Sequence, residues 1–256
     1  MKLLPAILAA ALIVTLSHPT ATSAADKTVL VVLVSSLARV PLEEIIPLYE
    51  KTHPSVSIQA TFAGGSVLAS QVAAGGADMF LSNNQSLATV SAKLNAPVAL
   101  FRIHEAVIVP KGSTKVKTLR DLATPGVRVG MVTANSAAGT YARSVLKQAA
   151  SAYGADFESK VLANVVAAKT SDGAIVDLIA SSSIDAAIGH PTDAGSKIEA
   201  IAIPTAFDIP AGEATASAAS LKSSTHLSET NEFIAYLAGK DAQAVFSKHH
   251  FDVNVK

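Results

Sequence analysis

FAGGSVLASQVAAGGADMFLSNNQ (Phe62 to Gln85) is the stretch whose reading decides the fold. A strand ends at Phe62, after the alternating Val56, Ile58 and Ala60. Gly64-Gly65-Ser66 is a turn of small residues, Ser66 to Ala74 is expected to be a helix, and Met79-Phe80-Leu81 a short strand. Strand, small-residue turn, helix and strand make one unit of parallel-type α/β architecture.

The unit recurs on both sides. Upstream, Thr28 to Val34 (TVLVVLV) is a Val-rich run suited to a strand buried on both faces. Leu42, Ile45, Ile46 and Tyr49 then recur at helical spacing, with Pro47 expected to kink that helix. Downstream, strands are expected at Ala106 to Val109, Val127 to Val132, Val161 to Val166 and Ala186 to Gly189. Helices are expected at Thr118 to Leu122, Ala138 to Ala149 and Ala174 to Ala180. Ala200 to Ile203 returns the chain to the first block, which closes with helices over Asn231 to Ala238 and Asp241 to Lys248.

Four short turns separate strands from helices: Ser35-Ser36, Gly64-Gly65-Ser66, Ala137-Ala138-Gly139 and Ser171-Asp172-Gly173. A helix start carries unbonded N–H groups and the positive end of the helix dipole. Several starts aimed at one cleft hold a small anion without any charged side chain. In open α/β sheets that cleft lies outside the carboxyl ends of the strands, where all four turns fall.

Composition narrows the partners. Lys2, the apolar Leu3 to Leu16 and the small residues Thr22-Ser23-Ala24-Ala25 read as an export signal cut near residue 24 or 25, placing the mature chain in the periplasm. There are 20 basic and 20 acidic residues, and loss of Lys2 leaves 19 against 20. Nucleic acid and anionic membranes, which need a basic patch, are not expected partners. With no Cys there is neither a disulfide nor a lipid-bearing cysteine; a 50% hydrophobic content lets a core do the stabilising. Aromatics at 5% and the absence of Trp leave little for sugar stacking, which favours a compact ligand held by hydrogen bonds. No G-x-S-x-G elbow, H-E-x-x-H pair or P-loop is present, so no catalytic residue and no cofactor are assigned.

From about Thr28 to Phe251 the chain resembles the periplasmic molybdate-binding proteins. SSLARVPLEEIIPLYEKTHPSVSI (Ser35 to Ile58), Phe62 to Gln85, SAAGTYARSVL (Ser136 to Leu146) and NEFIAYLAGKDAQAVFSKHHF (Asn231 to Phe251) carry the likeness. The resemblance implies a two-lobed type II periplasmic binding fold, each lobe a mixed sheet flanked by helices, with a two-strand hinge near Glu105 to Val109 and Ala200 to Pro204. The implied division is residues 1–25 as signal peptide, 26–105 plus 201–256 as lobe 1 and 106–200 as lobe 2. The implied role is capture of molybdate or tungstate for an ABC transporter permease, with a monomer expected.

Carried over position by position, the ligand-binding residues would be Ser36, Gly65, Ser66, Ala138, Asp172 and His190. Three of them depart from the family. Gly65 lacks the family's hydroxyl, and His190 stands where a tyrosine is usual. Asp172 puts a carboxylate where the family offers only a backbone donor. A carboxylate about 4 Å from an anion would be repelled by about 4 kcal/mol per unit charge at an effective dielectric of about 20. Either Asp172 caps its own helix, or Gly65, Asp172 and His190 mark a different ligand, a metal ion or complex or a small organic solute. Ser36 and Ser66 are also good N-cap residues. Tyr141 is expected in the core, His104 and Glu105 at the hinge, and His249-His250 at the negative end of the last helix.

Overall fold

The computed structural model describes residues 27–134, 137–169, 172–210 and 214–255, with only the main chain of Ala137 and Asp172. The export-signal reading and Ser171 of the fourth turn lie outside the described residues. Two five-stranded mixed sheets form the framework. In the first, β1 (Thr28–Ser35), β2 (Val56–Ala63), β3 (Met79–Asn83), β4 (Val98–Arg102) and the late strand Thr215–Ser220 (β10) stand in the order β2-β1-β3-β10-β4. In the second, β5 (Ala106–Pro110), β6 (Val129–Val132), β7 (Val165–Lys169), β8 (Ala186–Gly189) and β9 (Ile198–Ala202) stand in the order β7-β6-β8-β5-β9.

The Val-rich run behaves as its composition demands. Leu30, Val32 and Val34 face a core built with α1 (Arg39–Thr52) and the closing helices α7 (Leu227–Leu237) and α8 (Lys240–Lys248). Leu33 faces the opposite core, under α2 (Gly65–Ala74) and α3 (Asn84–Thr89). With alternate side chains buried on both faces, the strand has no polar positions to spare. The second sheet is covered by α4 (Ala137–Tyr153) and α5 (Phe157–Ala163) on one face and α6 (Asp172–Ala180) on the other. α1 runs its full length through Pro47. Among the described residues, no helix is long and apolar enough to cross a membrane.

Asp78, in the decisive stretch, ties the first sheet together. Its carboxylate accepts from Val31 N–H at 2.8 Å and from the Ser224 hydroxyl at 2.6 Å, while Leu221 N–H donates to its carbonyl at 2.8 Å. One buried side chain thus fixes β1 against the segment that follows β10.

Two expectations are corrected, and two strands appear that the apolar runs did not mark. Val161 to Val166 is not one strand: Val161 lies within α5 with its side chain in the core, and β7 starts only at Val165. β4 was not marked by the apolar runs; it belongs to the first sheet, and the second sheet begins at Ala106, where the second block was expected. β10, made of Thr, Ala and Ser, gave no hydrophobic signal, yet it pairs with both β3 and β4 inside the first sheet. Ala106–Pro110 and Ile198–Ala202 pair within the second sheet, so the crossings themselves are residues 103–105 and 203–214.

Candidate functional site

Strand direction decides where the turns meet. β1, β2 and β3 are parallel, and β10 is antiparallel to both β3 and β4. The end of β4 and the start of β10 therefore lie at the carboxyl edge of the first sheet, where Arg102 pairs with Thr215. In the second sheet β6 is parallel to β7 and β8, while β5 is antiparallel to β8 and β9. The start of β5 and the ends of β8 and β9 share the carboxyl edge, with Ala106 opposite both Gly189 and Ala202. Both crossings join one carboxyl edge to the other, and the helix starts at Ser36, Gly65, Ala137 and Asp172 each follow a strand that ends on one of these edges.

Ser36 opens the short 3-10 turn Ser36–Ala38 directly after β1 and is exposed. No side-chain cap bond is made there. Gly64 is the N-cap of α2 in extended conformation, and the first helical bond runs from Leu68 N–H to the Gly64 carbonyl at 3.1 Å. The N–H groups of Gly65, Ser66 and Val67 belong to the unbonded first turn. Ser66 is exposed, and its hydroxyl does not cap the helix.

The third turn is held close by Gly139. A Cβ there would collide with the Thr133 carbonyl and lie 2.8 Å from the Val132 carbonyl oxygen, so only glycine lets the first turn of α4 sit on the end of β6. Ala138 is half-buried beside it. Arg143, one turn further on, lines a cavity of about 410 Å³ with Thr133 and Ala134. Its buried Nε has no hydrogen-bond partner among the described residues. The sequence reading passed over Arg143 because an isolated arginine in a helix carries no pattern. Asp172 is the first residue of α6, and its side chain lies outside the described residues.

His190 follows β8 and is 5% exposed. Its N–H donates to Asp193 Oδ2 at 2.8 Å, and Nδ1 stands 3.1 Å from the His104 carbonyl oxygen and 3.8 Å from Glu105 Oε1. A carbonyl oxygen only accepts, so that contact places the ring proton on Nδ1. His190 is thus bound to the first crossing and sits deeper than Ser36 and Ser66. His104 spans the two crossings and the C-terminal segment, with Nδ1 2.5 Å from Asp208 Oδ2 and Nε2 3.2 Å from Asp252 Oδ2. Tyr141 packs with Ile209 and Ala214, as expected of a core residue. His249 Nε2 lies 3.0 Å from Glu44 Oε2. Among the described residues no group of three or more His, Asp or Glu side chains could hold a metal ion.

Two sheets joined twice at their carboxyl edges, with helix starts lining the gap, define a two-lobed type II solute-binding fold. The chain belongs to the family of bacterial extracellular solute-binding proteins, which it matches over residues 30–252. Solved structures share the fold at low identity. The substrate-binding domain of a putative molybdenum ABC transporter from Clostridium difficile superposes with a TM-score of 0.72 at 20% identity, covering 88% of this chain and 99% of that one. The sulfate-binding protein SubI from Mycobacterium tuberculosis gives 0.71 at 17%, covering 89% and 88%. Iron-bound HitA from Pseudomonas aeruginosa gives 0.62 at 17%, covering 86% and 84%. A comparison with curated protein sequences finds no match.

Proposed function

We propose that this protein is the periplasmic receptor of an ABC importer and that it captures a small tetrahedral oxyanion, molybdate or tungstate, between its lobes. The observation that carries the reading is the facing of two carboxyl edges across the crossings at residues 103–105 and 203–214, with small-residue helix starts on both. Ser36 and Ser66 would donate hydroxyls, and the first-turn N–H groups at Gly65 and Ala138 would complete the cage. Asp172 would contribute only its main-chain N–H. His190 would close the cavity from the hinge side. Lobe 1 would carry the first sheet and lobe 2 the second, with the return to lobe 1 after Ala202 rather than at residue 201, and the lobes would close over the ligand about the hinge. The molybdenum transporter domain and the sulfate-binding protein support an oxyanion. Iron-bound HitA shows that the fold also serves a metal, which is the second ligand class to test.

A thermal-shift panel on the mature chain with molybdate, tungstate, sulfate, phosphate and divalent cations tests this. A ligand at about 100 times its Kd stabilises by about 2.7 kcal/mol. For a chain of this size that corresponds to roughly 5–10 °C. A shift of that size with molybdate or tungstate is expected. Silence with every oxyanion and a shift with a metal would overturn the oxyanion reading and leave the fold and family untouched.

A further inference from the structure

The second turn lacks the hydroxyl that the family resemblance places at residue 65, and the structure shows what fills its place. An ideal Cβ on Gly65 would lie 2.9 Å from Ser82 Oγ and closer still to Ser86 Oγ. Both hydroxyls therefore occupy the space of the missing side chain, at the first turn of α2. Ser82 is the fourth residue of β3 and only 2% exposed. Its orientation follows from strand alternation: Phe80, two residues earlier, packs under α2 and α3, so Ser82 points the same way at the carboxyl end of the sheet. Ser86 is placed by α3, where its N–H donates to the Asn83 side chain at 2.9 Å. Neither hydroxyl has a hydrogen-bond partner among the described residues. The neighbouring Ser217, by contrast, donates to Asn84 Oδ1 at 2.7 Å. A hydroxyl on the nearly buried Ser82 and one on the half-buried Ser86, beside the unbonded N–H groups of one helix start, make a donor cluster that an anion would satisfy.

We propose that Ser82 and Ser86 are specificity-determining donors of the anion site, supplying from β3 and α3 the hydroxyls that residue 65 does not carry. The proposal rests on the oxyanion reading above. It makes Gly65 part of the site's design: glycine clears the space through which two hydroxyls reach the ligand, in place of one.

The test is calorimetric titration of the mature protein with molybdate, alongside Ser82→Ala, Ser86→Ala, the double variant and Gly65→Ser. Each single alanine variant should weaken binding by roughly tenfold, the size expected for one lost hydrogen bond to a charged group. Gly65→Ser should weaken it too, although it restores the family's residue, because the new side chain enters the space of Ser82 and Ser86. Circular dichroism and ligand-free melting separate lost binding from lost folding, and half-buried Ser86 is the position at which truncation disturbs the fold least. If the unmodified protein binds molybdate and the double variant binds it equally well, the proposal is overturned while the oxyanion reading stands. If the unmodified protein binds no oxyanion, both fall together.

Discussion

His104 Nδ1 lies 2.5 Å from Asp208 Oδ2, so a histidine on the first crossing between the lobes is bonded to a carboxylate on the second. Asp208 Oδ1 also accepts from Glu105 N–H at 3.0 Å, and Asp252 approaches the other ring nitrogen. The two connections between the lobes are thereby fastened to each other beside the cleft.

The tie makes stability depend on pH in a stated direction. The hydrogen bond to Asp208, aided by Asp252 and opposed by burial, raises the His104 pKa. Burial alone would raise Asp208, but His104 and the N–H groups of Glu105 and Ile209 bring it below its ordinary value. Asp252 is likewise lowered against burial by Asn254 and His104. The raised histidine contributes fully below about pH 6.5 and is lost as pH rises through its folded value. The lowered carboxylates contribute above about pH 4 and are lost as pH falls through theirs. The melting difference between the protein and His104→Ala should therefore be largest near pH 5–6, on the order of 2–4 °C, and shrink toward pH 9. A difference that stays constant from pH 5 to 9 would show that the imidazolium contributes nothing.

Legibility in the sequence followed how strongly each segment's physics was local. β1 was readable because burial on both faces forces a continuous apolar run. β10 was not: its small Thr, Ala and Ser side chains sit between β3 and β4, and only the sheet makes them a strand. Val161 and Val165 look alike in composition but belong to a helix and a strand, because the boundary between them is set by packing. The helix starts at Ser36 and Gly65 were readable since glycine and serine punctuate them. Ser82 and Ser86 were not, because their approach to Gly65 depends on the register of β3 and on the side chain that Gly65 lacks.

Gly139→Ala should be costly. The obstructing atoms are the backbone carbonyls of Thr133 and Val132, which cannot rotate aside as a side chain would. Either α4 must move off β6 or the third turn must open, at a cost of about 1–3 kcal/mol, the range for overpacking. Urea unfolding would read this directly. Unchanged stability would mean that α4 starts further from Thr133 than the structure places it.

Asp78→Ala should cost about 2–3 kcal/mol, since it leaves Val31 N–H and the Ser224 hydroxyl without their shared charged acceptor in a buried setting. The first lobe should lose protection at β1 and at the segment after β10 together. Hydrogen exchange confined to one of these would contradict a single tie between them.

Tyr49→Phe should stabilise the protein. Tyr49 is completely buried in the first lobe, stacked on His53 with ring centroids 3.9 Å apart and tilted against Phe233 at 4.8 Å. Its buried hydroxyl oxygen has no hydrogen-bond partner among the described residues. Burial, with the charges of Glu232 and Glu229, pushes the phenol up to about 12, so it stays neutral between pH 5 and 9. The ring supplies the packing, and the unmet oxygen opposes it. Phenylalanine keeps the ring and removes the oxygen, which should raise stability by about 0.5–1.5 kcal/mol, with no dependence on pH between 5 and 9. A loss of more than about 1 kcal/mol in urea unfolding would mean that the hydroxyl does find a partner, such as an ordered water, and that the pocket around Tyr49 is polar enough to hold one.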